Sequence, residues 1–260
     1  MPAPGGLAAL DPSAPWLVPF APRLHRLAAR TSAGADAAAA LAAEPSPIAL
    51  AAGPLRFVAG DSAAPGEAYE DFIHRTGCVP TRDNLHDLFN GLVWLQFPEA
   101  KRRLNQLQAG EIARAGIGAQ RGPLRDALTL FDENGAVLEA PDALWEALLA
   151  RDWQRLFVSG RTLWREARLQ LFGHALLEKL CHPRKAVTAH VLRAPGPKPS
   201  LAADDRSMAA ALDGAHLAGK PFAPLPVLGV PGWWPQNQNF SFYDDSEVFR
   251  PRRVPQPNPT

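Results

Sequence analysis

The sequence predicts an α+β fold: a mainly helical single domain with a small β-hairpin or sheet and long, Pro-rich extended segments. Three observations support this prediction. Apolar residues recur at helical spacing between positions 85 and 95. The pair Asn134-Gly135 lies between two apolar runs, a pattern typical of a hairpin turn. The chain has 27 prolines, and those between Pro221 and Pro231 favour an extended segment over a helix or a central strand.

Length and composition indicate an ordinary globular protein. The chain has 260 residues, enough for one large domain or two small ones. Its hydrophobic content of 47% and charged content of 20% exclude disordered and fibrous classes. The formal net charge is +1, so no overall field attracts a polyanion, and nucleic acid is not expected as a partner.

We expect a cytoplasmic protein with no membrane partner. The only cysteines, Cys78 and Cys181, are too few for a disulfide framework, although a single disulfide between them stays open. No window approaches the ~18 uninterrupted apolar residues of a membrane span, and the first residues lack the basic start of a signal peptide. For domains, we expect an Ala- and Pro-rich N-terminal wrap over 1–54, a single globular domain over 55–255 and a disordered tail over 256–260.

The N-terminal region predicts short elements laid on the body of the protein. Residues 15–20 read as an extended anchor, because two prolines flank an apolar run. Residues 24–29 and 37–43 predict short helices, the second from its alanine content. Residues 56–59 predict a strand.

The most informative stretch runs from Pro80 to Pro98. Thr81 or Asp83 is the predicted N-cap of a helix, and Pro98 is predicted to end that helix and begin the next. Apolar side chains at steps of three and four residues predict one buried helical face. They are Leu85, Leu88, Phe89, Leu92 and Leu95.

The next segments predict a second helix and then a hairpin. On the helix from 99 to 109, the basic triplet 101–103 is expected to face solvent. Residues 127–139 are expected to form two strands joined by a type I′ turn at Asn134-Gly135. Asp132 then lies at a strand end, where we expect it to help set the turn, with a catalytic role as the less favoured alternative.

The C-terminal half predicts the longest helix of the chain. A helix starts at Asp142 and extends towards Phe157, and 160–180 gives a continuous helical pattern that places His174 and Glu178 on one stripe. Residues 187–193 predict a strand, 194–200 a linker and 201–219 a short polar helical region. The Pro-rich chain from Lys220 onward is expected to drape over the helices.

Polar side chains on these apolar helices identify a candidate site. Asp83, His86 and Asn90 form one stripe at helical spacing, and His174 and Glu178 form another. Helices that only pack do not need such groups, because a buried polar group without a partner is costly.

If the two helices pack together, the stripes can hold a metal ion. Nitrogen and oxygen donors in this mixture suit zinc, manganese or iron, which can activate a water for hydrolysis. Glu178 can serve as a ligand as well as in catalysis, and Asp87, Asp244 or Asp245 can complete the shell. The candidate metal ligands are His86, Asn90, His174 and Asp244, and the candidate catalytic carboxylates are Asp87, Glu178 and Asp245.

A hydrogen-bond network without chemistry explains the same residues. In this alternative Glu178 orients His174, and Asn90 satisfies His86, so that the contacts fix helix register only. No zinc-protease signature, Gly-rich phosphate loop or Gly-x-Ser-x-Gly elbow is present to decide between the two.

Three blocks of sequence carry a family resemblance. The first comprises Arg82, Asn84, His86-Asp87, Phe89-Asn90, Trp94, Phe97-Pro98, Lys101 and Leu104-Asn105. The second comprises Phe172-Gly173-His174-Ala175-Leu176 with Glu178-Lys179. The third comprises Pro224 to Trp233, Asn237, Phe242-Tyr243-Asp244-Asp245 and Val248-Phe249-Arg250-Pro251. With these blocks, most of residues 55–255 resembles the bacterial domain-of-unknown-function family number 3025. The family carries no established activity, so the resemblance implies no substrate and no catalytic residue.

The blocks coincide with the polar stretches selected by spacing, which favours a shared site. We therefore expect a polar pocket between the helices of His86 and His174, closed by the C-terminal segment and suited to metal-assisted hydrolysis of a small molecule. The alternative is a non-catalytic interaction or scaffold protein whose Trp- and Pro-rich C-terminal surface, beginning near Gly232, binds another protein.

Overall fold

The computed structural model of the chain describes residues 4–45, 48–116, 122–194 and 205–252. In these ranges the fold is α+β and mainly helical, as the sequence predicts. The helices are α1 (Ala21–Ser32), α2 (Ala37–Ala42), α3 (Tyr69–Thr76), α4 (Leu85–Gln96), α5 (Pro98–Ala115), α6 (Pro123–Asn134), α7 (Asp142–Ala150), α8 (His174–Lys179), α9 (Asp205–Ala211) and α10 (Gly214–Ala218). The strands are β1 (Ala49–Leu50), β2 (Gly53–Pro54), β3 (Arg56–Ala59), β4 (Cys78–Thr81), β5 (Gly135–Glu139), β6 (Arg168–Leu171), β7 (Thr188–Arg193) and β8 (Ala223–Pro226).

The strands form three small sheets among the described residues. β1 pairs with β2 in antiparallel fashion, and β3 pairs with β4 in parallel. The largest sheet has the order β6-β5-β7-β8, in which β5 and β7 are parallel and both outer pairings are antiparallel. Because β8 is an edge strand, its prolines Pro224 and Pro226 do not interrupt a ladder on both sides.

Helix α4 is buried on nearly every side. Leu88, Phe89 and Leu92 are fully buried in the same hydrophobic core that includes residues from both ends of the described chain. Gly91 allows helix α2 to approach, because a Cβ there would lie 2.3 Å from Leu41 Cδ1. α4 is therefore the central helix of the molecule, contacted by α2, α5 and α8.

The predicted start of α4 is wrong in detail. Asn84 is the N-cap, and its Oδ1 accepts a hydrogen bond from Asp87 N at 2.8 Å. Asp83 instead accepts from Ala37 N, at the start of α2, and Thr81 belongs to β4. Pro98 begins α5 as predicted, in the first turn where its missing N–H costs little.

The predicted hairpin at 127–139 is wrong. Its first half is the C-terminal part of α6, whose Ala127, Leu128 and Phe131 face the core, and only its second half is a strand. Gly135 has extended backbone angles, with φ −76°, so it makes no type I′ turn. A Cβ at this position would lie 2.3 Å from Phe131 O, so the glycine serves a close helix-to-strand connection.

The predicted long helix over 160–180 is also wrong. The chain instead forms a π-helical turn (Arg155–Ser159), a 3-10 helix (Arg161–Glu166), strand β6 and the short helix α8. Backbone pairing of β6 with β5 outweighs the helical spacing of its leucines. Helix α7 ends at Ala150, is followed by Arg151 in a left-handed conformation and does not reach Phe157, so the longest helix described is α5, with 18 residues.

Other predicted elements agree with the structure more closely. Helices α1 and α2 and strands β3 and β7 lie where they were expected. Residues 15–20 are wrongly predicted as extended, since they form turns and a 3-10 helix (Val18–Phe20). The segment from Lys220 forms the edge strand β8 and short 3-10 turns instead of draping over helices. Most of the predicted linker at 194–200 and the tail at 256–260 lie outside the described residues.

No helix in the described ranges combines the length and apolar character that a membrane crossing requires.

The N-terminal helices are joined to one another by ion pairs. Glu44, just after α2, accepts hydrogen bonds from Arg26 and Arg30 of α1, and its side chain is 0% exposed. The hydrogen bonds from Arg26 lower the pKa of Glu44 to about 2.

Glu44→Gln is expected to lower the free energy of unfolding by about 1–2 kcal/mol at pH 7, because the buried acceptor loses its charge. The folded pKa of Glu44 lies below its ordinary value of 4.5, so this stabilisation is complete above 4.5 and is lost as the pH falls towards 2. Denaturant unfolding at pH 7 and at about pH 3.5 measures both effects.

The control is Glu247→Gln, which removes a carboxylate that is 87% exposed and pairs with Arg250. This change is expected to cost less than about 0.5 kcal/mol at either pH. Equal losses in the two variants would contradict the assignment of Glu44 as a stabilising buried charge.

Candidate functional site

Two histidines from separate helices meet at the centre of the candidate site. His86 lies in the first turn of α4, and His174 is the first residue of α8. Their Nε2 atoms are 3.1 Å apart, and their rings are edge to face with centroids 4.6 Å apart. Helices α4 and α8 therefore pack in the way that the proposed polar stripes require.

Carboxylates surround the pair of imidazoles. His86 Nδ1 lies 2.9 Å from Glu178 Oε2, and His174 Nδ1 lies 3.7 Å from Asp132 Oδ2. Glu133 Oε2 lies 3.6 Å from His174 Nε2, on the side where the two Nε2 atoms converge. One potential ligand atom from each of His86, His174 and Glu133 lies within 4.8 Å of the others, so these three residues can share one ion.

The environment of His174 suits a metal ligand. Its side chain is 5% exposed, and burial lowers its pKa to about 4, so the imidazole is neutral near pH 7. A neutral imidazole offers a nitrogen lone pair without first releasing a proton. Its Nδ1 is buried and finds no hydrogen-bond partner among the described residues. A carboxylate close to the outer nitrogen of a histidine is common around metal ligands, where it fixes the ring orientation.

The three residues lie in the wall of a cavity of about 750 Å³. Polar side chains from α3, α4, α5 and α6 line the cavity, together with a few apolar groups. The polar residues include Tyr69, Glu70, Asn90, Gln108, Arg125 and Thr129. Arg82 also lines the cavity and is 68% exposed, so the cavity opens to solvent beside it. This volume is within the usual range for small-molecule sites.

A buried lysine connects the helices behind the cavity. Lys101 of α5 is 3% exposed, and its Nζ donates to Asn90 Oδ1 at 2.8 Å and to Asp132 Oδ1 at 2.6 Å. The ammonium group also lies 5.2 Å from the centroid of the Trp94 ring. Burial alone would raise the pKa of Asp132, but the charge of Lys101 holds it below its ordinary value.

The structure brings five of the seven sequence-predicted site residues to this region. His86 contacts both His174 and Glu178, as described. Asn90 lies in the cavity wall, but its amide is engaged by Lys101 and donates to Tyr69 OH at 2.8 Å. Asp87 also lines the cavity, and its carboxylate accepts from Arg82 Nε at 3.0 Å and from the Arg82 backbone N at 2.7 Å.

Asp244 and Asp245 are not part of this constellation. Asp245 pairs with Lys185 Nζ at 3.0 Å and accepts from Glu247 N at 3.1 Å, so it organises its own turn. Asp244 is exposed at the end of a 3-10 helix (Phe240–Asp244). Neither residue lines the cavity, which corrects the expectation that they complete the metal shell. Asp244 and Asp245 belong to the third family block, but the sequence of that block does not show where it packs in the fold.

The C-terminal segment is fixed to the body by its own buried groups. Asn237 is 0% exposed and donates to the Leu228 and Val230 carbonyls, and Tyr243 OH donates to Gly229 O. Tyr243 stacks on Phe157. Much of the aromatic surface proposed for a protein partner is thus used within the chain.

Sequence reasoning missed Lys101, Asp132 and Glu133. Lys101 belongs to a basic triplet expected to face solvent, although only Arg102 and Arg103 do so to any extent. Asp132 and Glu133 were not selected because the predicted hairpin placed them in a strand and not in a helix. The signal that identifies them is the helical spacing of Ala127, Leu128 and Phe131 after Pro123, which places both acids in the last turn of a helix.

A glycine allows the start of helix α8 to lie close to the end of helix α6. Gly173 precedes His174, and a Cβ at Gly173 would lie 2.5 Å from Glu133 O and 2.6 Å from Asn134 N. These are backbone atoms that cannot move aside as a flexible side chain would. The close approach of α8 to the end of α6 therefore requires a residue without a side chain at this position.

Residues 55–253 match the model of the DUF3025 family, which is described as a protein family of unknown function. This match confirms the family resemblance drawn from the three sequence blocks, and its range includes every residue of the cavity. No curated protein and no solved structure matches the chain significantly.

Lys101→Met is expected to lower the free energy of unfolding by about 3–5 kcal/mol, because Asp132 would remain buried without its partner. Denaturant unfolding measures this loss. The double variant Lys101→Met with Asp132→Asn is expected to recover part of it, since both charges are then absent. Arg102→Met, one residue along and 39% exposed, is the control and is expected to cost less than about 1 kcal/mol.

Gly173→Ala is expected to destabilise the protein by about 1–3 kcal/mol, because the added methyl group meets backbone on α6. Thermal and denaturant unfolding measure the change. The control is Gly110→Ala on α5, where a Cβ would meet nothing within 4 Å and alanine favours the helix. Equal behaviour of the two variants would contradict the close approach of α8 and α6.

Proposed function

The chain belongs to the DUF3025 family, and we propose that it is a metal-dependent hydrolase whose divalent cation is held by His86, His174 and Glu133. One observation carries this proposal: the Nε2 atoms of two histidines from different helices lie 3.1 Å apart beside a glutamate carboxylate, in the wall of a cavity. Two imidazoles and one glutamate are a donor set of catalytic zinc sites.

The spacing of the two nitrogens fits a shared ion. With Zn–N distances of about 2.0–2.1 Å and tetrahedral angles, two ligating nitrogens lie roughly 3.3 Å apart. The 3.1 Å separation of the Nε2 atoms needs little adjustment to reach that value. Glu133 reaches the same point from the end of α6, so three elements of the fold supply one ligand each.

A hydrogen-bond network alone explains the same atoms less completely. In a network, one Nε2 donates to the other, which leaves His174 Nδ1 buried without a described partner. With an ion held by His86 and His174 through Nε2, the ring protons would lie on the two Nδ1 atoms, which face Glu178 and Asp132. Each Nδ1 would then carry a proton with a carboxylate facing it, at 2.9 Å for His86 and 3.7 Å for His174.

The donor set leaves room for catalysis. Three protein ligands leave at least one coordination position for water, and the cavity supplies space for a substrate on that side. A bound divalent cation supplies Lewis acidity and lowers the pKa of a bound water to about 7. His86, His174 and Glu133 would hold the ion, while Glu178 orients His86 and Asp132 faces His174.

Glu70 is the carboxyl group best suited to exchange protons in this cavity. It lines the cavity, and Asn105 Nδ2 donates to its Oε2 at 2.7 Å. Burial raises its pKa above the ordinary range. A carboxyl with a raised pKa keeps its proton to a higher pH than a free carboxyl does, which favours a role in general acid–base catalysis.

Zinc is the proposed ion, and the same ligands also suit manganese or iron. The protein, stripped with chelator and then titrated with each metal, is expected to bind one zinc ion per chain. His174→Ala and Glu133→Gln are expected to weaken zinc binding by at least tenfold, and Glu178→Gln by about tenfold through the orientation of His86. Elemental analysis and isothermal titration calorimetry measure these changes, and a panel of nitrophenyl esters and phosphates tests for zinc-restored hydrolysis.

The matched control is His190→Ala. His190 is a half-buried histidine of β7 that does not line the cavity, so its loss is expected to leave zinc binding unchanged. A wild-type protein that binds no metal, or equal losses in His174→Ala and His190→Ala, would overturn the metal site. Oxygen consumption with iron, and no hydrolysis with zinc, would overturn the assignment as a hydrolase.

A further inference from the structure

An arginine in the cavity wall has an unsatisfied donor. Arg125 of α6 lines the cavity, and its Nε is buried with no hydrogen-bond partner in the described part of the chain. A buried donor of a charged group costs free energy when it stays unpaired, so native structures rarely leave one without a reason. By contrast, the Arg82 guanidinium, which also lines the cavity, binds the Asp87 carboxylate through two nitrogens.

We propose that the cavity binds a small molecule with an anionic group, and that Arg125 holds this group while the bond to be hydrolysed lies at the ion between His86 and His174. This inference rests on the proposed function and names the substrate class of that site. The anionic group is a carboxylate or a phosphate, because a planar guanidinium pairs with either through charge-assisted hydrogen bonds.

Helix α6 sets the distance between the two ends of the substrate. Arg125, Thr129 and Glu133 follow one another at steps of four residues, and all three line the cavity. Eight residues of α-helix span about 12 Å, so Arg125 and the ligand Glu133 lie on one face roughly that far apart at their backbones. The substrate is therefore an elongated molecule of about 8–12 Å.

The charges of the cavity agree with an anionic substrate once the ion is present. Asp87 is neutralised by Arg82, and Asp132 by Lys101. Glu178 and Glu133 together balance a divalent cation, so the charged groups that remain in the wall are Arg125 and Glu70, which interact electrostatically. Glu70, the other acid in the wall, has a pKa raised by burial, so it opposes the charge of Arg125 less than an exposed glutamate would.

The test uses octanedioate as the probe, with octanoate as the analogue that lacks the second charge. Zinc-loaded wild-type protein is expected to bind octanedioate at least tenfold more tightly than octanoate by isothermal titration calorimetry. Arg125→Met is expected to remove this preference while retaining zinc, and Arg125→Lys to retain part of it, because lysine keeps the charge without the planar donors. The length-matched compound 7-phosphonoheptanoate distinguishes the two anions: tighter binding than octanedioate assigns phosphate, and weaker binding assigns carboxylate.

The control is Arg155→Met, which removes an arginine that pairs with the exposed Glu146 and does not line the cavity. It is expected to change octanedioate affinity by less than twofold. If Arg125→Met retains both zinc and the wild-type preference, the anion site is overturned and the hydrolase proposal stands. If the wild-type protein takes up no zinc, the hydrolase proposal falls. In that case Arg125-dependent binding of inorganic phosphate to the metal-free protein supports the anion site, and its absence overturns that site too.

Discussion

The buried ammonium group of Lys101 constrains the arrangement of three helices. It is fixed on α5, donates to Asn90 on α4 and to Asp132 on α6, and is 3% exposed. A charge removed from water is costly without its partners, so Lys101 favours the arrangement in which α4 and α6 supply its contacts. The same arrangement determines the site, because His86 lies one turn before Asn90 on α4, and Glu133 follows Asp132 on α6.

His174, the remaining proposed ligand, reaches the site because the start of α8 lies close to the backbone at the end of α6. Helix α8 is short, and it approaches the end of α6 only because Gly173 has no side chain to meet the backbone at Glu133 and Asn134. Strand β6 leads directly into this point, since the chain passes from Leu171 to His174 after pairing with β5. The contacts of Lys101 and the close approach at Gly173 fix the polar side chains on one side, and the cavity lies on the other. This arrangement is expected of a preorganised binding site.

Part of the fold and of the site was predictable from local pattern. The apolar spacing of α4 gave the right helix, and the same spacing selected His86 as a residue at the edge of the core. His174 and Glu178 were selected for their four-residue spacing, although that spacing was read in a helix much longer than α8. The Asn134-Gly135 pair misled because turn signals and helix ends use the same residues, and only the position of Gly135 against Phe131 decides which is present. The exposure of Lys101 was misjudged because a basic triplet does not reveal which member has a buried carboxylate opposite it.

By itself, the sequence determined the α+β class, the central helix, the start of α5 and the identity of both histidines, because these depend on residues close together in the chain. Only the tertiary structure decided that the imidazoles meet, that Glu133 and not Asp244 lies beside them, and that Arg125 has no partner for its Nε among the described residues. These contacts join residues up to about ninety positions apart. Such pairings depend on how helices and strands pack, and periodicity within one element carries no information about the element it meets.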